Sequence, residues 1–298
     1  MEINYYKIYW TVDDSPSFTG CTCKTLKEII NFHLLISEYF NKDTANLVLK
    51  KFGRAKIVTA TNVFAHIEDV NSLMKNLLQV LINDGIFISE SHYLVSLIKT
   101  NQYDTIYHEH LRYYSLTSLK YLFNKYDMEI IHAKKINTHG GSIRVYAARK
   151  KRFEIHKSVT KILNFEKRFL NWKTFINFKK NVVQSKLNLY SILKKLKNKN
   201  KKIYGIGAPS RASTLINYVG LDENIIDCVL EIEGSYKIGS YIPGKKIQIL
   251  SEKKLYNDPP DFVILFSWHI ASELKLNLRK KGYKGKFIIP LPQPKIES

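Results

Sequence analysis

Four consecutive residues near the middle of the chain, Tyr107-His108-Glu109-His110, combine a phenol, two imidazoles and a carboxylate. Such groups exchange protons with a bound molecule near neutral pH, and the sequence around them is otherwise ordinary and apolar. A surface loop without a chemical role has no reason to place two histidines around one carboxylate. The segment therefore predicts acid/base chemistry on a small molecule.

A metal site is the competing chemical interpretation of the same segment. On a β-strand, His108 and His110 would face the same side, and His92 or His66 could complete a ligand set. Because local spacing fixes no such partner, proton transfer without a metal is the preferred interpretation.

The residues before this segment have the rhythm of an α/β fold. Residues 56–62 have the β-branched composition of a buried parallel strand, and residues 72–82 carry leucines at helical spacing. Asp84-Gly85 is then expected to turn the chain into a short strand at 86–89. This repeat predicts a doubly wound sheet, in which ligands bind at the carboxyl ends of strands, and His66 falls just past such an end.

The second half of the chain predicts a helical region and a further small domain. Residues 156–200 are rich in Lys and Asn with apolar residues at helical steps, which indicates one long amphipathic helix or a helical pair. We interpret its apolar stripe as a packing surface rather than a membrane-binding face. Strands are expected at residues 203–206, 225–230, 262–266 and 286–289. The predicted division is 1–150, 151–200 and 201–298.

A glycine-rich turn follows the first strand of the last segment. Gly205 and Gly207 precede Pro209, which is well placed to open a helix, so backbone amides there, helped by Arg211, could receive a phosphate or another anion. A tight strand-to-helix turn is the equally simple interpretation. The third glycine of the dinucleotide fingerprint is missing, although Glu231 after the next strand leaves an NAD-binding interpretation open.

Composition narrows the class of protein. The net charge of +21 comes mostly from lysines scattered along 298 residues beside abundant Asn and Ile, so we expect no nucleic-acid partner. Cys21, Cys23 and Cys228 form neither a disulfide framework nor a zinc-knuckle spacing. With no apolar run of membrane-spanning length and no secretory signal at Met1, the sequence predicts a cytoplasmic protein without a membrane partner.

Five motifs in order resemble the bacterial sugar C-methyltransferases, which methylate carbon 3 of a nucleotide-linked 4-keto-deoxysugar. The matching segments, within a similarity that covers roughly residues 40–296, are Asn62 to Asp69, Asn101 to His110, Thr138 to Ser142, Gly205 to Pro209 and Tyr241 to Gly244. The resemblance implies an incomplete class I methyltransferase domain of Rossmann-like α/β fold, a long helical linker, and a second small Rossmann-like α/β domain.

The resemblance also implies roles for individual residues. His110 would remove the proton beside the ketone, because a neutral imidazole with a pKa of about 6.5 suits this step at neutral pH. Glu109 would orient or electrostatically support that imidazole, while Tyr107 and His66 would donate hydrogen bonds to the keto oxygen. The implied substrate contacts also include His108 and Arg211.

The methyl donor that the resemblance implies is S-adenosyl-L-methionine. Asn62 would contact it, and Tyr9 to Asp13 could be the second strand of the sheet, with Asp13 accepting the ribose hydroxyls. Members of the family normally begin with a cysteine-rich zinc region and a glycine-rich loop that cradles this donor. Neither is found here, so the chain is expected to be truncated at its amino end.

The difference from the family at the amino end leaves three outcomes open. The gene could be a truncated remnant, a separate neighbouring polypeptide could supply the missing region, or the domain could persist as a non-catalytic sugar-nucleotide-binding remnant. Without the first strand and its turn, the expected sheet has exposed edges.

Overall fold

The computed structural model describes residues 8–10, 34–36 and 38–298. The chain forms two compact units that interleave along the sequence. The first runs to Ser91 and adds Leu116–Lys134 and Ile143–Ile162, and the second comprises His92–Ser115, Lys135–Ser142 and Leu163–Ser298. The three-segment division at 150 and 200 remains a sequence-based prediction.

The elements of the first half alternate between strands and helices. In chain order they are β1 Ile8–Trp10, β2 Leu34–Ile36, α1 Lys42–Phe52, β3 Ala55–Thr61, α2 Val70–Val80, β4 Leu81–His92, α3 Leu94–Lys99, α4 Leu116–Asn124, β5 Met128–Ile136 and β6 Ser142–Arg149. Strands β3, β4, β6 and β5 form one sheet in that order. Helix α2 begins where the Asp69 carboxylate accepts from the N–H groups of Asn71 and Ser72, and of the leucines that predicted it, the helix buries Leu73 and Leu77.

Strand β3 confirms the predicted parallel strand but is not buried. It lies at the edge of the described sheet, and Ile57 is 50% exposed. The expected turn at Asp84-Gly85 is a bulge inside β4, because Leu81 pairs with Ala55 while Ile86 already pairs with Ile57.

The short strand β1 differs from its predicted place. Tyr9 and Trp10 were expected in the main sheet, but β1 pairs antiparallel with β2 in a separate two-stranded sheet, with Tyr9 opposite Leu35. Asp13, Cys21 and Cys23 lie outside the described residues.

The second half contains a helical pair followed by an open, mostly parallel sheet. Its elements are α5 Lys157–Phe169, α6 Trp172–Lys197, β7 Ile203–Ile206, α7 Ser210–Val219, β8 Cys228–Glu231, β9 Ile249–Ser251, α8 Lys254–Asn257, β10 Phe262–Leu265, α9 Ala271–Lys280, β11 Lys286–Ile289 and β12 Lys295–Glu297. The spatial order is β12-β11-β10-β7-β8-β9, and β12 alone in this sheet runs antiparallel to its neighbour.

This six-stranded sheet has the topology of a Rossmann-like domain. From β7 the chain builds outward to β8 and β9 and then crosses to β10 on the other side. The point where the order reverses therefore lies between β7 and β10, and ligands of such sheets bind at the carboxyl ends of these strands. The α/β fold class that the sequence predicts is confirmed.

One predicted strand of this sheet is shorter than expected. Ile225 and Ile226 are apolar and buried, but both of their N–H groups donate to the carbonyl oxygen of Asp222 in a turn, so β8 starts only at Cys228. Apolar composition alone did not distinguish this buried turn from a strand. Within the described residues, no helix combines the length and apolarity needed to cross a bilayer.

Candidate active site

Four histidines, His92, His110, His139 and His269, lie in the second unit. Single turns of 3-10 helix carry or precede three of them. These turns are Tyr103–Thr105, Thr138–Gly140 and Trp268–Ile270, and His92 is the last residue of β4. Short turns at the ends of regular elements place side chains more variably than helices do, which suits the construction of a site.

The hydrogen bonds of His110 define its tautomer. Its Nδ1 lies 2.9 Å from the carbonyl oxygen of Thr105, and its Nε2 lies 3.2 Å from the hydroxyl of Tyr107. Because a carbonyl oxygen only accepts, Nδ1 carries the proton and donates it to Thr105. In the neutral ring, Nε2 then holds the lone pair and accepts from Tyr107. The atom that can take a proton from a ligand is therefore Nε2.

The hydroxyl of Tyr107 keeps its proton at physiological pH. Burial, and after it the nearby carboxylate of Glu109, raises the pKa of Tyr107 to about 12. Its ring lies 4.3 Å from the His110 ring, centroid to centroid. Tyr107 is thus a hydrogen-bond donor held against the one basic nitrogen of His110.

Four imidazoles follow one another in this unit, and we call His110, His92, His139 and His269 the histidine row. Ring centroids are 5.1 Å apart for His110 and His92, 5.7 Å for His92 and His139, and 6.3 Å for His139 and His269. Within the described residues, no group of three or more His, Cys, Asp or Glu side chains is arranged to hold a metal ion. The ring nitrogens of His110 and His269 are engaged in hydrogen bonds with protein groups.

The motif Thr138 to Ser142 brings His139 into this row through two glycines. Gly141 has φ +118, and a Cβ on it would lie 2.6 Å from the side chain of Ser96. The neighbouring Gly140 accepts a hydrogen bond at its carbonyl oxygen from Gln102, which is buried. Only glycine lets the backbone pass this close in that conformation.

We expect Gly141→Ala to lower the free energy of unfolding by about 1–3 kcal/mol for the backbone conformation alone, with a steric cost added. Gly234→Ala is the matched control, because Gly234 also has positive φ but no atom within 4 Å of the added Cβ. Urea denaturation of both variants measures the difference. Equal losses would show that Ser96 does not crowd this position.

A buried ion pair lies at the far end of the row. The Arg211 guanidinium donates from Nε and Nη2 to the Asp104 carboxylate at 2.8 and 3.1 Å, and their side chains are 9% and 1% exposed. Asp104 also accepts from the indole N–H of Trp268 at 2.8 Å. The remaining Arg211 nitrogen, Nη1, lies 2.9 Å from Nδ1 of His269.

The contact with Arg211 fixes the protonation of His269. Because a guanidinium only donates, Nδ1 of His269 accepts, and Nε2 of the neutral ring carries the hydrogen. Burial first, then Arg211 and His139, lower the pKa of His269 to about 4. His269 is therefore a neutral imidazole at physiological pH.

A 15N NMR titration of the ring nitrogens should find His269 neutral down to about pH 4. Its pKa in the unfolded chain is about 6.5, so the unfolded chain binds the extra proton first. This group therefore contributes less stability as the pH falls from about 6.5 towards about 4. A midpoint near 6.5 in the folded protein would contradict the Arg211 contact.

Two residues of the predicted cluster stand differently from expectation. His108 and His110 do not share a strand face, because residues 107–109 form a turn, and His108 is exposed. The group that orients the His110 ring at Nδ1 is the carbonyl of Thr105 rather than the carboxylate of Glu109. Electrostatic support from the half-buried Glu109, and substrate contact by His108, remain predictions.

Arg211 and the glycine-rich turn are also used differently from expectation. Arg211 donates two hydrogen bonds to Asp104 and one to His269, so its contact with substrate remains a prediction. At the start of α7, the N–H of Ala208 donates to the Glu231 carboxylate at 2.5 Å, and Gly207 N–H donates to Leu230. The expected anion site at Ala208 is thus occupied by the protein's own carboxylate. Gly207, at φ +80, makes the tight turn.

Two predicted residues belong to the first unit. His66 lies in the single turn Phe64–His66 just after β3, as expected, and Asn62 turns the chain at the end of β3 with φ 56. The Asn62 N–H donates to the carbonyl oxygen of Glu90 at 2.8 Å. Their roles toward substrate and methyl donor remain predictions.

The sequence did not single out His269 and Asp104. Asp104 lay inside the Asn101 to His110 motif but has no distinctive neighbours in the sequence, and its partner Arg211 is 107 positions away. A signal for His269 was present, since it follows the predicted strand at 262–266 just as His66 follows the strand at 56–62. The same rule for strand ends would have found it.

The two sheets, with the helices that connect their strands, place this protein in the Rossmann-like α/β class. A family model described as a methyltransferase domain matches residues 9–133, and one described as the C-methyltransferase C-terminal domain matches residues 137–292, more than half of the chain. The chain therefore belongs to the C-methyltransferase family.

A curated relative supports this assignment. The protein described as C-methyltransferase NovU, from Streptomyces niveus, is 30% identical over 263 residues, which cover 87% of this chain and 62% of NovU. The chain thus spans less than two thirds of the length of this relative.

Proposed function

We propose that this protein is an S-adenosyl-L-methionine-dependent C-methyltransferase acting on carbon 3 of a nucleotide-linked 4-keto-deoxysugar. Family membership supports the class of reaction, and the five motifs that resemble sugar C-methyltransferases support the substrate. The observation that carries the proposal is the His110 ring, whose Nδ1 is held by the Thr105 carbonyl so that Nε2 is the basic atom.

The spacing of His110 and Tyr107 suits a carbon acid beside a ketone. From standard bond lengths, the acidic carbon and the carbonyl oxygen are about 2.4 Å apart. Nε2 of His110 and the Tyr107 hydroxyl are 3.2 Å apart, so both groups can address one such unit. The substrate would take the place of the Tyr107 hydroxyl at Nε2, which frees that hydroxyl to donate to the keto oxygen.

Proton removal then proceeds through these two side chains. The C–H bond breaks, the proton moves to Nε2 of His110, and the electron pair is delocalised onto the keto oxygen as an enolate. Tyr107, still protonated because of its raised pKa, donates to this oxygen. Each such donor contributes about 3 kcal/mol to stabilising an oxyanion in enzymes. We propose His66 as a second donor by resemblance.

The described residues that fit the methyl donor lie at the carboxyl end of β3, which is the end of the strands at which α/β sheets bind their ligands. Asn62 offers a side-chain amide that can donate and accept, on a residue turned out of the strand. When bound, the donor supplies an electrophilic methyl group and keeps the electron pair of the broken C–S bond. The new C–C bond forms from the enolate carbon.

Methyl transfer from radiolabelled S-adenosyl-L-methionine to a panel of 4-keto sugar nucleotides tests the proposal. We expect label in the sugar product, at the carbon beside the ketone. Calorimetry on the same preparation tests the remnant hypothesis. A protein that binds a nucleotide sugar, shows no heat with S-adenosyl-L-methionine and transfers no label would overturn the proposed activity.

A further inference from the structure

A cavity of about 530 Å³ opens beside His269 in the second unit. Three lysines line it, Lys99, Lys275 and Lys295, against one carboxylate, Glu297. Both Lys275 and Lys295 pair with that carboxylate. The charged side chains of this lining therefore sum to two positive charges, an environment that attracts an anion.

Lys99 differs from the other two lysines of the cavity. Its ammonium group lies over the Phe165 and Phe169 rings, 4.6 and 5.3 Å from their centroids. Within the described residues, no ion pair of Lys99 with a carboxylate is found. Aromatic faces hold an ammonium in place without neutralising its charge, so Lys99 keeps its attraction for an anion.

His269 supplies this cavity with a directional donor. Its Nδ1 accepts from Arg211, and the other two hydrogen bonds of the Arg211 guanidinium go to Asp104. The hydrogen of His269 is therefore on Nε2, and the ring lines the cavity. Asp104 accepts three hydrogen bonds from Arg211 and Trp268, so its carboxylate is satisfied within this network.

Keeping Asp104 and Arg211 buried needs an explanation, because desolvating both charges offsets much of their attraction. The explanation that the contacts offer is that the pair holds His269 in one tautomer and one orientation. We propose that the cavity beside His269 binds a phosphate group, with Nε2–H of His269 as the directional donor and Lys99 as the unneutralised charge. Asp104 and Arg211 are positioning residues for that donor.

The phosphate site rests on and deepens the proposed function, because a nucleotide-linked substrate carries phosphates. Binding at this site can be measured without a methyl donor. Inorganic pyrophosphate is the probe, followed by 15N NMR of the His269 ring in the full chain. We expect saturable binding with a shift of the Nε2 resonance. Because the net charge of +21 attracts anions to many lysines, this local shift, rather than total binding, is decisive.

Two variants of His269 separate a donor from a structural residue. His269→Gln retains an N–H close to the position of Nε2, whereas His269→Phe retains ring volume without a donor. We expect His269→Phe to weaken pyrophosphate binding about tenfold or more, and His269→Gln to restore a large part of it. His156→Phe, on an exposed histidine of the first unit, should bind like the wild type.

A parallel pair of variants tests the charge. Lys99→Met should weaken binding about two- to fivefold at low salt, whereas Lys180→Met, on an exposed residue of α6, should not. The proposal is wrong if pyrophosphate leaves the His269 resonances unmoved or if His269→Phe binds normally. A protein that binds pyrophosphate at His269 but transfers no methyl group retains this site and loses only the proposed activity.

Discussion

Replacing His110 by Asn should lower the rate of methyl transfer by about 10²–10⁴-fold, the contribution typical of a general base. The side-chain amide of Asn can still donate to the Thr105 carbonyl from near the position of Nδ1. It has no basic nitrogen at the position of Nε2, so proton removal is lost while the turn keeps its hydrogen bond. Initial rates with saturating radiolabelled methyl donor measure the effect.

The control for this variant is His156→Asn in the first unit. The Nδ1 of His156 accepts from the Ser158 N–H, and the amide oxygen of Asn can accept in its place. This variant should retain wild-type rates. If His110→Asn also retained full activity with an unchanged fold, the base would have to be another residue.

The second large effect is expected on stability rather than on rate. Asp104→Asn leaves the buried Arg211 guanidinium without its counter-charge, and losing one partner of such a pair costs about 3–5 kcal/mol. Both side chains are at least nine-tenths buried, so water cannot compensate the loss. The free energy of unfolding from urea denaturation, followed by circular dichroism, measures it.

Asp127→Asn provides the matched control for this substitution. Asp127 pairs with Lys150 at 3.2 Å with its side chain 80% exposed, and an exposed pair contributes about 0–1 kcal/mol. A loss for Asp104→Asn no larger than that of Asp127→Asn would show that Arg211 reaches water when its partner is removed. It would also remove the positioning role inferred for the pair.

The regular elements followed largely from local patterns. The leucines of α2 and the apolar runs of β7, β10 and β11 predicted elements that the structure contains at nearly the same residues. The exceptions have physical reasons: Ile225 and Ile226 are buried in a turn rather than in a strand, and β3 is exposed because it lies at the edge of the described sheet. Burial depends on which strands become neighbours, and periodicity does not encode that.

The site was predictable only where its residues are close in sequence. Tyr107 and His110 are three positions apart, and their side chains lie in contact. The Thr105 carbonyl was missed because a backbone group has no signature in a sequence. Trp268 and Asp104 meet across 164 positions, so only the fold brings them together.

Among the described residues, β3 is the outer strand of its sheet, and this position bears on how the protein behaves in concentrated solution. The outer N–H and C=O groups of an edge strand can template pairing with another molecule, but Arg54, immediately before β3, and Lys56, within it, are exposed. Two copies approaching edge to edge would bring these cations face to face. Salt screens this repulsion, with a Debye length of about 10 Å at 0.1 M ionic strength. We therefore expect self-association in concentrated solution to increase with ionic strength.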